Sequence, residues 1–158
     1  MGGRLSDVTA TAGDPWRVLR VGRGLAAGDL DNDGRLDLLI VAQDAPLAYL
    51  HNRTAGGHWV TLRLEGRASN RDAVGARVAI DSGGRRQVAW RIGGGSYLSA
   101  GDPRLHFGLG TAGRVDALEV TWPSGRVDRY NYLPVDTGYR LREGDAEPSA
   151  LTGYPKRQ

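Results

Sequence analysis

One stretch decides the fold of this chain: GLAAGDLDNDGRLDLLIV, residues 24–41. Aspartates occupy alternate positions in its centre, and Gly34 follows the third of them. The stretch ends in a continuous apolar run at 38–41, which is typical of a strand buried on both faces. No helical period flanks the aspartates on either side. The stretch therefore predicts an acidic turn that leads directly into a buried β-strand.

Residues 29–37, here called the aspartate loop, have the composition of a calcium site. Calcium takes about 6–8 oxygen ligands, and a loop supplies them when carboxylates alternate around a sharp turn. Gly34 allows the positive φ that such a turn requires. The predicted metal ligands are four carboxylates and one backbone carbonyl, namely Asp29, Asp31, Asp33 and Asp37, with the carbonyl from Arg35.

Electrostatics favours a bound ion in the aspartate loop. Its carboxylates would repel one another strongly without a cation, so we expect Ca²⁺ as a structural cofactor. Magnesium is disfavoured because it needs a tight octahedron and keeps its waters. An EF-hand is excluded because Ile40 stands where a bidentate Glu is needed and no helices flank the loop. The alternative is a polar turn without metal, since Asp, Asn and Gly favour turns anyway.

Working outward, residues 5–53 are predicted to form one small β-unit. Its four expected strands lie around 7–11, 24–28, 38–42 and 47–51, so the aspartate loop joins the second to the third. A polar, glycine-rich joint at 53–57 marks its end.

Residues 57–143 alternate apolar and polar positions in short runs, which predicts an antiparallel β-sandwich. Gly83 and Gly84 predict a hairpin turn, and Trp59, Trp90 and Trp122 are expected in the core. Residues 144–158 are polar with two prolines and are expected to be a mobile tail. The predicted strands are 58–65, 76–81, 87–92, 105–109, 117–122, 127–130 and 139–141.

Composition narrows the class of protein. The chain has 158 residues, 24 of them glycine and none cysteine, which favours many turns and excludes disulfides and thiolate chemistry. Its net charge of +3 comes from arginines spread along the chain, so no nucleic-acid groove is expected. No apolar run is long enough to span a membrane, and an export signal would have to be removed or lie on a longer chain.

Catalytic signatures are missing from the sequence. His51, His58 and His106 lie at strand ends or within strand patterns, and no Gly-x-Ser-x-Gly elbow surrounds the serines. We therefore expect no catalytic residues. An enzyme would need a constellation built from Asp72, Asp102 and His106, which sequence order alone does not reveal.

The stretch 24–41 resembles an FG-GAP (VCBS-type) repeat. Such repeats form blades of β-propellers with calcium in the aspartate-rich loop. The resemblance implies that Asp29, Asp31, Asp33 and Asp37 are side-chain ligands and that Arg35 gives its carbonyl.

Residues 58 to about 142 resemble the ASPIC/UnbV domain. The resemblance implies an exported, calcium-stabilised interaction module whose partner is generally unknown. It is carried by HW at 58–59, SNRDAVGARV at 69–78, GGGSYLS at 93–99, RLHFGLG at 104–110 and VTWPSG at 120–125.

The fold class expected is therefore all-β, a single blade-like sheet followed by a sandwich. One blade cannot bury both faces of its sheet, so further repeats, its own sandwich or other copies of the chain must cover it. The expected function is an extracellular, cell-surface or periplasmic binding or adhesion module. Its ligand would be a protein or, by stacking on Trp16, a carbohydrate. The alternatives are a self-assembling fibre or ring subunit and an accessory enzyme of secondary metabolism.

Overall fold

The computed structural model describes residues 4–154, which fold into three β-sheets. Apart from a 3₁₀ turn at Asp14–Trp16, the regular elements in this range are all strands, which confirms the predicted all-β class. The strands are β1 (Gly22–Gly28), β2 (Asp37–Ala42), β3 (Ala48–Leu50), β4 (His58–Glu65), β5 (Arg77–Ser82), β6 (Arg85–Trp90), β7 (Leu105–Gly110), β8 (Arg114–Thr121), β9 (Val127–Pro134), β10 (Thr137–Arg142) and β11 (Ser149–Ala150).

The first sheet, here called the blade, is antiparallel in the order β1-β2-β3. Three of the four strands predicted for this unit are present, but the one expected at 7–11 is wrong. There the Asp7 carboxylate accepts the N–H of Thr9 at 2.9 Å, and the N–H of Thr11 bonds to the carbonyl of Val8. The short polar side chains compete for backbone groups and produce a turn instead of a strand.

The free edge of β1 is covered by a segment from later in the chain. The N–H of Leu25 donates to Ser99 Oγ at 3.3 Å, and the N–H of Asp102 donates to the carbonyl of Ala27 at 2.9 Å. Residues 99–102 thus lie along the edge that would otherwise offer unpaired backbone groups. The blade is joined to the rest of the molecule at this edge.

The remaining strands form the predicted sandwich. One sheet has the order β11-β10-β4-β7 and the other β6-β5-β8-β9, with the apolar core between them. The sandwich is not wholly antiparallel, because β10 pairs with β4 in parallel. The β5–β6 hairpin is confirmed, and both turn glycines, Gly83 and Gly84, have positive φ.

Two burial predictions are wrong. Trp90 is exposed because its neighbour Ala89 takes the core-facing position of the edge strand β6. Residues 38–40 are only half-buried and Val41 is exposed. Within residues 4–154 no second sheet stacks on the blade, so a continuous apolar run there did not imply burial on both faces.

Two parts of the segment expected to be a mobile tail contact the sandwich. β11 pairs with β10, and the ring of Tyr154 lies 5.4 Å from that of Trp59. Gly138 leaves the room for this ring, since a Cβ there would lie 2.3 Å from Tyr154 Cε2. An aromatic side chain near the end of the polar segment provides the anchor. Residues 155–158 lie outside the described range.

Candidate metal centre

Asp29 and Asp37 are the two buried carboxylates of the aspartate loop. Asp29 Oδ1 accepts the N–H of Asp33 at 2.9 Å, and its Oδ2 accepts the N–H of Gly34 at 3.0 Å. These bonds close the turn back on its first residue. Gly34 has φ +87°, the left-handed conformation expected of it.

Asp37 fastens the end of the loop to β3. Its carboxylate accepts the N–H of Asn52 at 2.8 Å, the hydroxyl of Tyr49 at 3.1 Å and the N–H of Leu30 at 3.3 Å. Three donors from separate parts of the unit thus meet on one buried side chain. Asp37 therefore fixes the spacing between the start of the loop and the β2–β3 hairpin.

The side chains that converge in the loop are Asp31, Asp33 and His51. Their potential ligand atoms all lie within 4.8 Å of one another, and His51 Nε2 is 3.1 Å from Asp31 Oδ2 and 3.9 Å from Asp33 Oδ2. Sequence reasoning did not include His51 in this cluster. The feature that could have indicated His51 is the register of β2 and β3. Leu50 pairs with Leu38, so the next residue, His51, lies beside the C-terminal end of the aspartate loop.

Arg35, predicted to offer its backbone carbonyl to the metal, also contacts the loop through its N–H and its side chain. Its N–H donates to Asp33 Oδ1 at 2.9 Å, and its guanidinium contacts Asp33 Oδ2 and donates to the carbonyl of Asn52. Burial raises the pKa of Asp29, against the lowering effect of the Gly34 and Asp33 N–H bonds. Arg35 at Asp33 and His51 at Asp31 place positive or protonatable groups at the carboxylates. The carboxylates of Asp31 and Asp33 suit a hard divalent cation, whereas the imidazole of His51 is a ligand that zinc and other transition metals prefer.

The aspartate loop is pressed against the sandwich at Gly34. A Cβ at this position would lie 1.9 Å from Trp59 Cε2, and Trp59 itself is buried on the outer face of β4. Only glycine permits this approach. The loop that would bind the metal therefore also forms the contact between the two units.

Arg104 clamps the same contact. Its guanidinium donates to the carbonyl of Asp29 and to Asn32 Oδ1, each at 2.7 Å, while Asp102 holds its Nε at 2.8 and 2.9 Å. It also contacts the hydroxyl of Tyr154. One side chain thus links the aspartate loop, the linker before β7 and the C-terminal segment.

Of the three residues considered for catalysis, Asp72 and Asp102 line one cleft and His106 does not. His106 stacks on Trp59 and lies 3.0 Å from Thr61 Oγ1, and burial lowers its pKa. His58 Nδ1 lies 2.8 Å from Asp136 Oδ2, whereas His51 lies beside Asp31 of the aspartate loop. Trp16 is exposed in the 3₁₀ turn.

Sequence reasoning also missed a buried carboxylate in the sandwich, Glu143. It accepts the N–H groups of Arg67 at 2.7 Å and Ser69 at 2.8 Å, and the hydroxyl of Ser124. Burial acts to raise its pKa, but these hydrogen bonds outweigh burial and hold the pKa at about 2. The motifs at 69–78 and 120–125 are therefore linked to each other, because both donate hydrogen bonds to the carboxylate of Glu143.

Comparison with known families agrees with this architecture. The family model for ASPIC and UnbV matches residues 66–148. The model for the FG-GAP repeat matches residues 21–58. The first match covers more than half of the chain, so the protein belongs to the ASPIC and UnbV family, here with an FG-GAP repeat before the family domain.

The chain is similar to cartilage acidic protein 1 of Xenopus tropicalis, with 34% identity over 114 residues. The mouse and human proteins of that name are each 33% identical over the same length. These matches cover 67% of this chain but only 16–17% of the relatives. Within residues 4–154, no helix is long and apolar enough to cross a membrane.

Proposed function

We propose that this protein is a calcium-stabilised, non-enzymatic extracellular binding module in which the ion fixes the blade to the sandwich. FG-GAP repeats are generally protein-interaction modules, and the relatives' name, cartilage acidic protein, favours an extracellular setting. The observation that carries the proposal is the position of the aspartate loop. The loop that gathers Asp31 and Asp33 also rests on Trp59 through Gly34.

The role proposed for calcium is structural. Bound at the carboxylates of Asp31 and Asp33, with Asp29 and Asp37 holding the turn, it would neutralise their mutual repulsion. A neutralised loop keeps the backbone shape that places Gly34 on Trp59 and the Asp29 carbonyl on Arg104. Ion binding and docking of the blade are then one event.

The test is thermal unfolding in millimolar calcium and in excess chelator. An ion that binds only the folded chain adds about 2.7 kcal/mol at a hundredfold excess over its Kd. We expect chelator to lower the Tm of the parent by several degrees. Asp33→Asn should melt early in calcium and respond little to chelator.

The matched control is Asp14→Asn, which removes the same charge from an almost fully exposed side chain outside the loop. It should keep the parent's calcium response. Equal melting of the parent with and without chelator would refute the structural role of calcium. A full calcium response in Asp33→Asn would place the ion elsewhere.

A second candidate function is self-assembly through the blade, and the exposed apolar side chains favour it. Val41, Leu47 and Tyr49 are each about half exposed on one face of this small sheet, and Leu25 is about half exposed on the other face. Contiguous apolar surface of this kind marks interaction sites. Copies of the chain, or further FG-GAP repeats on a longer one, would cover it.

Light scattering after size exclusion tests this candidate. If copies associate through the blade, Val41→Thr should shift the mass distribution towards monomer with less than about 0.5 kcal/mol change in the monomer's stability. A control at Val127→Thr, on the exposed start of β9, should leave the distribution unchanged. Monomers of the parent at every concentration would reject self-assembly.

A further inference from the structure

The cleft between the blade and the sandwich has a volume of about 640 Å³. This is within the range of about 300–1,000 Å³ that ligand sites occupy. Its floor is aliphatic on the blade side, with Ala26, Ala27 and Leu39, and its far wall includes Arg63 and Arg91. The cleft is separate from the aspartate loop's carboxylates.

The two arginines give the cleft a surplus of positive charge. Within residues 4–154, neither Arg63 nor Arg91 makes an ion pair, and the one hydrogen bond of the Arg91 side chain goes to the carbonyl of Ile92. Of the two acids of the cleft, one is held in a half-buried ion pair and the other makes only a solvent-exposed contact. Asp102 is paired with Arg104, and Asp72 lies 3.5 Å from Arg71, which is not part of the lining.

The free donors of this wall match a carboxylate. A guanidinium presents a planar fork of N–H donors that binds a carboxylate at both oxygens. Because Asp102 is paired with Arg104, the carboxylate of Asp72 is the one acidic acceptor that the cleft offers to sugar hydroxyls. The lining of this cleft contains no aromatic ring on which a sugar could stack; the ring of Trp90 lines the adjoining cleft. An aliphatic floor beside two arginines suits an acidic side chain that is flanked by an apolar one.

We propose that this cleft binds an acidic peptide segment of a partner protein, with Arg63 and Arg91 holding its carboxylates and the blade's aliphatic side chains holding its neighbours. A second cleft of about 490 Å³ shares Arg91 and residues 100–103 with the first and reaches exposed Trp90. The groove can therefore accommodate several residues of an extended chain. This inference rests on the proposed function as a binding module and names its partner's chemistry.

The experiment is fluorescence anisotropy of the full chain with a labelled, end-blocked octapeptide of alternating leucine and glutamate at about 0.1 M salt. The parent should bind it with a Kd below about 1 mM. Arg63→Gln and Arg91→Gln should each weaken binding about tenfold. Arg63→Lys keeps the charge but loses the planar pair of N–H donors, so its affinity should lie between those of the parent and Arg63→Gln. Arg85→Gln is the matched control, because Arg85 is an exposed arginine at the far end of β6. It should change the affinity less than about twofold.

Three outcomes would overturn the inference. One is no binding by the parent, and a second is equal binding of the glutamine version of the peptide or an equal loss in Arg85→Gln. The third is arginine-dependent binding of a polyuronate or of inorganic phosphate in preference to the peptide. Running each assay in calcium and in chelator separates this test from that of the proposed function. The dependence on Arg63 and Arg91 is scored in either buffer, whereas the calcium proposal depends on melting.

Discussion

The blade and the sandwich are stabilised by opposite means. In the sandwich, most of the fully buried side chains are apolar, with Leu62, Ile80 and Leu118 among them. In the blade and its loop, the buried side chains include the carboxylates Asp29 and Asp37, while the leucines and valines of the strands remain partly exposed. A small three-stranded sheet cannot bury enough apolar surface to be stable alone. The difference teaches that the blade depends on hydrogen-bonded carboxylates, on a proposed ion and on its contact with Trp59.

The largest expected effect tests whether apolar burial stabilises the sandwich more than the blade. Leu62→Ala empties a fully buried position between the sheets and should reduce the free energy of unfolding by about 2–5 kcal/mol. Leu39→Ala, at a half-buried position of β2, should cost less than about 1.5 kcal/mol. Denaturant unfolding of both variants checks the prediction. Equal losses would mean that the blade has an apolar core comparable with that of the sandwich.

The next effect tests the contact between the two regions. Gly34→Ala forces a methyl group into Trp59 and strains a φ of +87°, so we expect a loss of about 2–4 kcal/mol. Gly125→Ala is the control, since Gly125 has φ +89° with open space around it and carries only the backbone strain. Hydrogen exchange should show faster opening of the aspartate loop in Gly34→Ala alone. If the two variants lose the same stability, packing on Trp59 contributes nothing.

The smallest effect concerns Glu143, which with Asp128 is one of the two buried carboxylates of the sandwich. Glu143→Gln should cost about 1–3 kcal/mol, because a charge-assisted network loses its anion. The folded pKa of about 2 lies below the ordinary 4.5, so Glu143 contributes its full stability above pH 4.5. That contribution is lost as the pH falls from 4.5 towards 2. Acid titration of stability should flatten in Glu143→Gln but not in the exposed control Glu147→Gln.

Local patterns were sufficient for most strands. Alternation in the sandwich predicted β4 to β10 because each strand's inward face is encoded in its own residues. The prediction of a strand at 7–11 was wrong, since the hydrogen bond of the Asp7 side chain to the backbone favours a turn there. The prediction that Trp90 lies in the core was wrong, because alternation shows that the two faces of a strand differ but not which face packs on the core.

Only part of the candidate metal site could be predicted from the sequence. The aspartate spacing and Gly34 were local, so Asp31 and Asp33 were predicted from neighbours in the chain. His51 joins them through the β2–β3 register, which no spacing within the loop reveals. The buried anion Glu143 was missed because its donors lie more than seventy residues earlier, at Arg67 and Ser69.

The sequence by itself determined the all-β class, the acidic turn and the two family resemblances, because each depends on the order of residues within a short window. Tertiary structure alone decided that Arg104 holds the aspartate loop, that residues 99–102 cover β1 and that Arg63 and Arg91 share a cleft. These contacts join residues distant in the chain, and each depends on how the blade docks on the sandwich. Docking is set by shape and by the pairing of charges across the interface, which local patterns do not encode.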